Sequence, residues 1–204
     1  METTNNNIAE SHITGLKGIL KVFPTKDRFI SYPFIISLVS TLLLFILLAF
    51  SNKTVYDILV FFKSQILSIF PNILGFNLGG YALIVGFGNT ELIKQLTKNK
   101  DAKKPGVFQK LNGVFAFTLI LQAFVFIYAF FINLFMQLEI RTINNTLGWV
   151  LNYLALFIIS LLGIWGILIM FTLIKNVFSF GQLHHFKLTL DRIKDEQKAS
   201  DEVE

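Results

Sequence analysis

The sequence lacks cysteine altogether and has only three histidines and two tryptophans among its 204 residues. Without cysteine, the chain forms no disulfide and offers no thiolate for a metal site or a covalent intermediate. Charged residues are scarce too, at 15% against about 25% in a typical soluble domain. Hydrophobic residues make up 53% of the chain, 23 residues are phenylalanine, and the mean hydropathy is +0.61. This balance is typical of a membrane protein when the apolar residues form long runs.

Motifs for catalysis and metal binding are also missing. The histidines are His12, His184 and His185, and a metal site needs three or four ligands that converge. Adjacent histidines such as His184 and His185 point in different directions on a helix. The sequence contains no phosphate-binding loop, zinc-protease motif or nucleophile elbow. It therefore favours a protein that is not an enzyme and that has no catalytic residue, no metal and no cofactor.

Four apolar runs are each long enough to cross a bilayer core, which takes about 20 residues. The first is too long for the hydrophobic region of a cleaved signal peptide, so we interpret it as an anchor that is kept. The predicted fold is an all-α membrane protein, a four-transmembrane-helix bundle at 29–174 with amphipathic cytoplasmic segments at 1–28 and 175–204. The predicted spans are 29–50, 67–88, 113–135 and 148–174.

The second span contains a glycine-rich stretch, residues 73–88, ILGFNLGGYALIVGFG. On a helix, four of its small residues share one narrow stripe. Small residues let another helix backbone approach closely in lipid, so the sequence predicts that this is the central packing helix. Upstream, Thr54 and Asp57 have the spacing of a capping box, and Pro71 predicts a kink. The predicted helix-packing residues are Gly75, Gly79, Ala82 and Gly86.

The end of this stretch also suggests an alternative function, a homo-oligomeric pore. Residues 85–89, VGFGN, resemble the potassium-channel filter, TVGYG in its common form, which implies a ring of backbone carbonyls that binds cations. Ile84 stands where the filter has threonine, which removes a hydroxyl ligand. We therefore favour helix packing for these glycines and keep the pore as the alternative.

Polar residues inside the spans are amides and hydroxyls, without a charged side chain among them. Proton relays and ion-coupled transporters usually place charged residues at this depth. The amides and hydroxyls are predicted to bond across helices and hold the bundle together, at about 0.6 kcal/mol each. They are Asn77, Thr118, Gln122, Asn133, Asn152 and Ser160.

Lysine and arginine are distributed unevenly between alternate loops. The N-terminal segment, the middle loop and the C-terminal tail together hold fifteen, whereas the other two loops hold only Lys53, Lys63 and Arg141. Positive residues stay on the cytoplasmic side. The sequence therefore predicts a multi-pass protein of a bacterial-type inner membrane with both termini in the cytoplasm. Residues 11–23 are predicted to form a short amphipathic helix on that membrane surface, with Leu16 and Leu20 on its apolar stripe.

Two cytoplasmic features predict contact with a partner or with anionic headgroups. The middle loop has more lysines than orientation requires, and the tail has apolar residues at spacings of three, four and three. We predict a membrane anchor or sensor subunit that presents these basic segments to a soluble partner, with a homo-oligomer possible and no nucleic-acid binding. For the tail, a helix lying on headgroups is the alternative. The residues are Lys94, Lys98, Lys100, Lys103, Lys104, Leu183, Phe186, Leu190 and Ile193.

Overall fold

The computed structural model describes residues 15–23, 25–87, 106–138 and 145–201, and the regular structure there is helical throughout. The last four of its six helices are long and apolar enough to cross a membrane, so the fold is compatible with a multi-pass membrane protein. Predictions at residues 1–14, 88–105 and 139–144 lie outside the described residues. The helices are α1 (Gly15–Val22), α2 (Thr25–Phe29), α3 (Tyr32–Ala49), α4 (Val55–Phe87), α5 (Val107–Gln137) and α6 (Asn145–Asp201).

Each long helix runs antiparallel to the long helix before it in the chain, so α3 is antiparallel to α6, whereas α4 and α6 run parallel. Near the end of α3, the ring of Phe45 lies 6.1 Å from that of Phe157 in the first half of α6. Near the start of α4, Lys63 donates a 2.9 Å hydrogen bond from Nζ to Oδ1 of Asn133, close to the end of α5. We call the end of the bundle that contains residues 50–54 the hairpin end, and the opposite end, where α1 lies, the tail end.

The central helix is α6, which packs against α3, α4 and α5. Two of its glycines allow α4 to approach closely. A Cβ atom added at Gly163 would lie 3.0 Å from Cδ1 of Ile66, and one added at Gly166 would lie 3.1 Å from Cε1 of Phe70. The prediction that the glycine-rich α4 is the central packing helix was therefore wrong, because the close approach uses the glycines of its neighbour.

The predicted small-residue stripe of α4 faces outward from the bundle. A Cβ added at Gly75, Gly79 or Gly86 would meet no atom within 4 Å, and Ala82 is exposed as well. The expected close packing is therefore not met within this chain. A contact between this stripe and a second chain stays a prediction.

Helix α4 begins as predicted and then continues through its proline. The Oδ2 atom of Asp57 accepts hydrogen bonds from the backbone N–H and the hydroxyl of Thr54. In return, the Thr54 hydroxyl accepts a hydrogen bond from the backbone N–H of Asp57. This capping box is confirmed. Pro71 lies inside the 33-residue helix with its ring exposed. Residues 84–87 are helical, unlike the extended backbone of a carbonyl filter.

Both terminal segments are attached to the bundle more closely than the sequence suggests. Helix α6 runs unbroken for 57 residues, roughly 85 Å at 1.5 Å per residue, so the C-terminal segment continues the fourth candidate span. At the other terminus, α1 packs on α5, and a Cβ added at Gly113 would lie 2.8 Å from Cγ1 of Val22. Leu16 and Leu20 remain exposed, and contact of this apolar face with lipid stays a prediction.

Candidate functional site

A hydrogen-bonded amide pair joins three helices inside the bundle. Gln122 of α5 is fully buried, and Asn77 of α4 is 4% exposed. Asn77 Nδ2 donates to Gln122 Oε1 at 2.8 Å, and Gln122 Nε2 donates to the carbonyl oxygen of Gly166 in α6 at 2.9 Å. The prediction that intramembrane amides bond across helices is confirmed for this pair. The pair fixes the register of α4, α5 and α6, and therefore the positions of both bundle ends.

The buried hydroxyls behave differently from the amides. Thr118 donates to the carbonyl of Val114, and Ser160 to that of Leu156, at 2.8 and 2.6 Å. Each bond stays within its own helix, so the prediction of bonding across helices was wrong for these two residues. A hydroxyl can satisfy itself locally in a helix because the carbonyl four residues back is within reach.

Sequence reasoning missed two small polar residues that face into the bundle from α3. Ser37 and Thr41 have no exposed surface, and they are the buried residues of that helix. Their four-residue spacing is the small-xxx-small pattern that favours close helix packing in lipid. The sequence contains this pattern at Ser37 and Thr41, but glycines at the same spacing in α4 indicate close packing more strongly.

An aromatic cluster encloses an arginine at the tail end. Trp165 is 4% exposed, and its ring centroid lies 5.0 Å from that of Phe34 and 5.6 Å from that of Phe117. The guanidinium of Arg28 lies 5.3 Å from the centroid of Phe117 and is 7% exposed. Its Nη2 donates to the carbonyl oxygen of Leu20 at 3.2 Å. A desolvated cation over an aromatic ring is worth about 2 kcal/mol, so Arg28 holds α1 and α2 against the bundle.

A cleft of about 350 Å³ opens at the tail end between α1, the first turns of α5 and the middle of α6. Its walls are mainly apolar. Its polar lining comes from one cation and from three uncharged side chains on α6. The lining residues are Val22, Phe23, Phe108, Lys110, Leu111, Val114, Thr172, Asn176, Ser179, Phe180 and Leu183.

The predicted apolar residues of the tail are exposed on the continuation of α6. Leu183, Phe186, Leu190 and Ile193 have 42%, 62%, 40% and 45% of their surface exposed. We call these four residues the seam. Leu183 also lines the cleft, so the seam begins where the cleft ends. The five predicted lysines at 94–104 lie outside the described residues, so the structure describes only the tail residues of the predicted site.

The fold, with its buried amide pair, is that of a helical bundle and is compatible with a multi-pass membrane protein. Comparison of the chain with protein-family models, with curated proteins and with solved structures gave no match. Since a shared fold class does not imply a shared function, the function has to be argued from the residues at the tail end.

Proposed function

We propose that this protein is a non-enzymatic membrane anchor or sensor subunit that presents its tail helix and basic segments to a soluble cytoplasmic partner. The observation that supports this most directly is the unbroken α6. It crosses the bundle as the central helix and continues to Asp201 with the seam exposed. A row of exposed apolar side chains on a helix is the usual form of a docking surface for another helix or a groove. Since α6 is one continuous helix, a movement of α6 within the bundle would also move the seam.

The proposed orientation places the tail end in the cytoplasm of a bacterial-type cell. Among the described residues, the basic residues near the tail end are Lys17, Lys21, Lys26, Arg28, Lys110 and Lys175, and those near the hairpin end are Lys53 and Lys63. Lysine and arginine near the ends of spans set orientation, with the positive side inward. Since consecutive long helices alternate in direction, we propose that residues 50–54 lie in the periplasm.

Topology reporters test this orientation. Fusions after Ser51 and after Asn144 should be active as periplasmic reporters, and fusions after Lys100 and at Glu204 should be active as cytoplasmic reporters, because lysines flanking the spans retain those segments inside. Paired alkaline phosphatase and fluorescent-protein fusions at each position measure the result. A cytoplasmic signal after Ser51 would exclude the four-span orientation proposed here.

Two substitutions in the seam test the partner surface. Leu190→Asp combined with Ile193→Asp should leave membrane insertion unchanged, because both residues lie on α6 beyond the fourth predicted span. The same change should abolish recovery of the partner and activity in the cell, because carboxylates in an apolar contact are costly to bury. Fractionation measures insertion, and affinity recovery from solubilised membranes measures partner binding.

A matched pair of single substitutions separates the seam from the rest of the tail. Leu190→Asp and Leu188→Asp each introduce one carboxylate at a leucine that is 40% or 52% exposed. The two leucines lie about 200° apart around the helix. Partner recovery should fall with Leu190→Asp and stay near wild type with Leu188→Asp. Equal behaviour of the two variants, or full activity of the double variant, would make the tail a solvated end without a docking role.

A homo-oligomeric pore is the second candidate, and the outward face of α4 supports it. Ser64, Ser68 and Asn72 are exposed and share the face of Gly75 and Gly79, at spacings of four, four, three and four. Polar groups at membrane depth usually face a cavity or another helix. Purified protein in liposomes distinguishes the candidates, because a pore conducts ions and an anchor does not.

A further inference from the structure

We propose that the tail-end cleft binds an anionic phospholipid, with the phosphate held near Lys110 and the upper part of an acyl chain against the apolar walls. The inference rests on the proposed membrane placement, but not on the partner. The volume of about 350 Å³ lies within the range of small-molecule sites, about 300–1,000 Å³. The cleft would accept the lipid from the cytoplasmic leaflet, where anionic headgroups are found.

The polar groups of the cleft are arranged along one side. Thr172, Asn176 and Ser179 recur at four and three residues on α6, so they follow one face of that helix. The Ser179 hydroxyl donates to the Lys175 carbonyl at 2.9 Å, which leaves its oxygen free to accept another hydrogen bond. These side chains can bond to a phosphate or glycerol group, while Lys110 provides the charge.

The charge of the cleft favours an anion. Lys110 is exposed, and none of the described residues that line the cleft is acidic. Lys110 also lies in the first turn of α5, and the positive end of a helix dipole favours negative charge there. A zwitterionic headgroup would bring its own cation toward Lys110, so an anionic headgroup fits better.

The apolar groups require a lipid instead of a free anion. Val114 and Leu111 of α5 and Phe23 next to α1 form a wall on the bilayer side of Lys110. The third predicted span begins at Gly113 and the fourth ends at Ile174, so the cleft crosses the predicted border of the hydrocarbon core. Free phosphate would leave this wall uncovered, whereas an acyl chain covers it.

Lipid binding by the full chain in detergent provides the test. The delipidated protein is mixed with equal amounts of dioleoyl phosphatidylglycerol and dioleoyl phosphatidylcholine, and the bound lipid is measured by native mass spectrometry. The wild type should retain phosphatidylglycerol in preference to phosphatidylcholine. Lys110→Gln should reduce that binding about fivefold, because one basic residue near an anionic headgroup is worth about that much. Asn176→Phe should reduce it by filling the cleft.

Lys175→Gln is the matched control, because Lys175 is exposed on α6 and does not line the cleft. The Lys175→Gln variant should retain phosphatidylglycerol as the wild type does. Equal loss in both lysine variants would reduce the effect to general surface charge and overturn the proposal. So would an absence of preference between the lipids, or displacement of the bound lipid by excess inorganic phosphate. The Leu190→Asp, Ile193→Asp protein should still bind the lipid, so failure of the partner proposal and failure of the lipid proposal are distinguishable.

Discussion

Gly166→Leu should lower the free energy of unfolding of the bundle by about 1–3 kcal/mol, the usual cost of overfilling a packed interior. An added Cβ alone would lie 3.1 and 3.2 Å from two ring atoms of Phe70. That ring is 1% exposed, so it has little room to move away. The larger leucine side chain would push α4 away from α6. Unfolding of the purified protein in detergent, followed by circular dichroism, measures the loss.

The same substitution at Gly79 is the matched control. Leucine there meets no atom within 4 Å of its Cβ, and both variants gain the same helix propensity from losing a glycine. Gly79→Leu should therefore leave the unfolding of the single chain unchanged or slightly stabilised. Equal losses at the two positions would contradict the packing described here. A loss at Gly79 that depends on protein concentration would place the α4 stripe between two chains.

Gln122→Leu should destabilise the bundle by about 1–3 kcal/mol, the cost of a buried polar group without a partner. The substitution removes the acceptor of the Asn77 amide and the donor to the Gly166 carbonyl. Asn77 is 4% exposed, so water cannot replace its partner. Thermal unfolding in detergent measures the change.

The double variant Asn77→Leu, Gln122→Leu is the control for the amide pair. It should be more stable than Gln122→Leu alone, because replacing both partners with apolar groups leaves no buried amide without a hydrogen bond. Losses that simply add would mean that the two side chains contribute independently. A Gln122→Leu protein as stable as the wild type would mean that the pair does not hold the bundle.

Much of the fold could be predicted from runs of apolar residues. The first predicted span, 29–50, closely matches α3, and the third, 113–135, lies within α5. The length of α6 could not be predicted in the same way. Its apolar pattern ends near Ile174, and the change from apolar to polar composition there predicts the end of a span. No proline after that residue ends the helix, so α6 continues to Asp201.

The sequence predicts the wrong helix as the source of the small residues at the close contact. In lipid, a helix can be apolar on every side, so the pattern that shows which face of a soluble helix is buried is missing. The glycines of α4 and those of α6 give the same kind of signal. Only the structure shows that Gly163 and Gly166 face α4, whereas Gly75 and Gly79 face outward.

The candidate site was predicted in part. The spacing of Leu183, Phe186, Leu190 and Ile193 predicted an apolar row, and the structure places these residues on α6 with exposed side chains. The cleft could not be predicted, because it depends on how α1 docks near Gly113, and contacts between distant segments are not visible in the periodicity of either one.

The central claim, that the tail helix docks on a soluble partner, is tested most directly by crosslinking in living cells. A photoreactive amino acid at Leu190, on the seam, should give one discrete adduct with a soluble protein. The same amino acid at Leu188, on the opposite face, should not give that adduct. Adducts of equal yield at both positions, or adducts at Leu190 with lipid alone, would contradict the account.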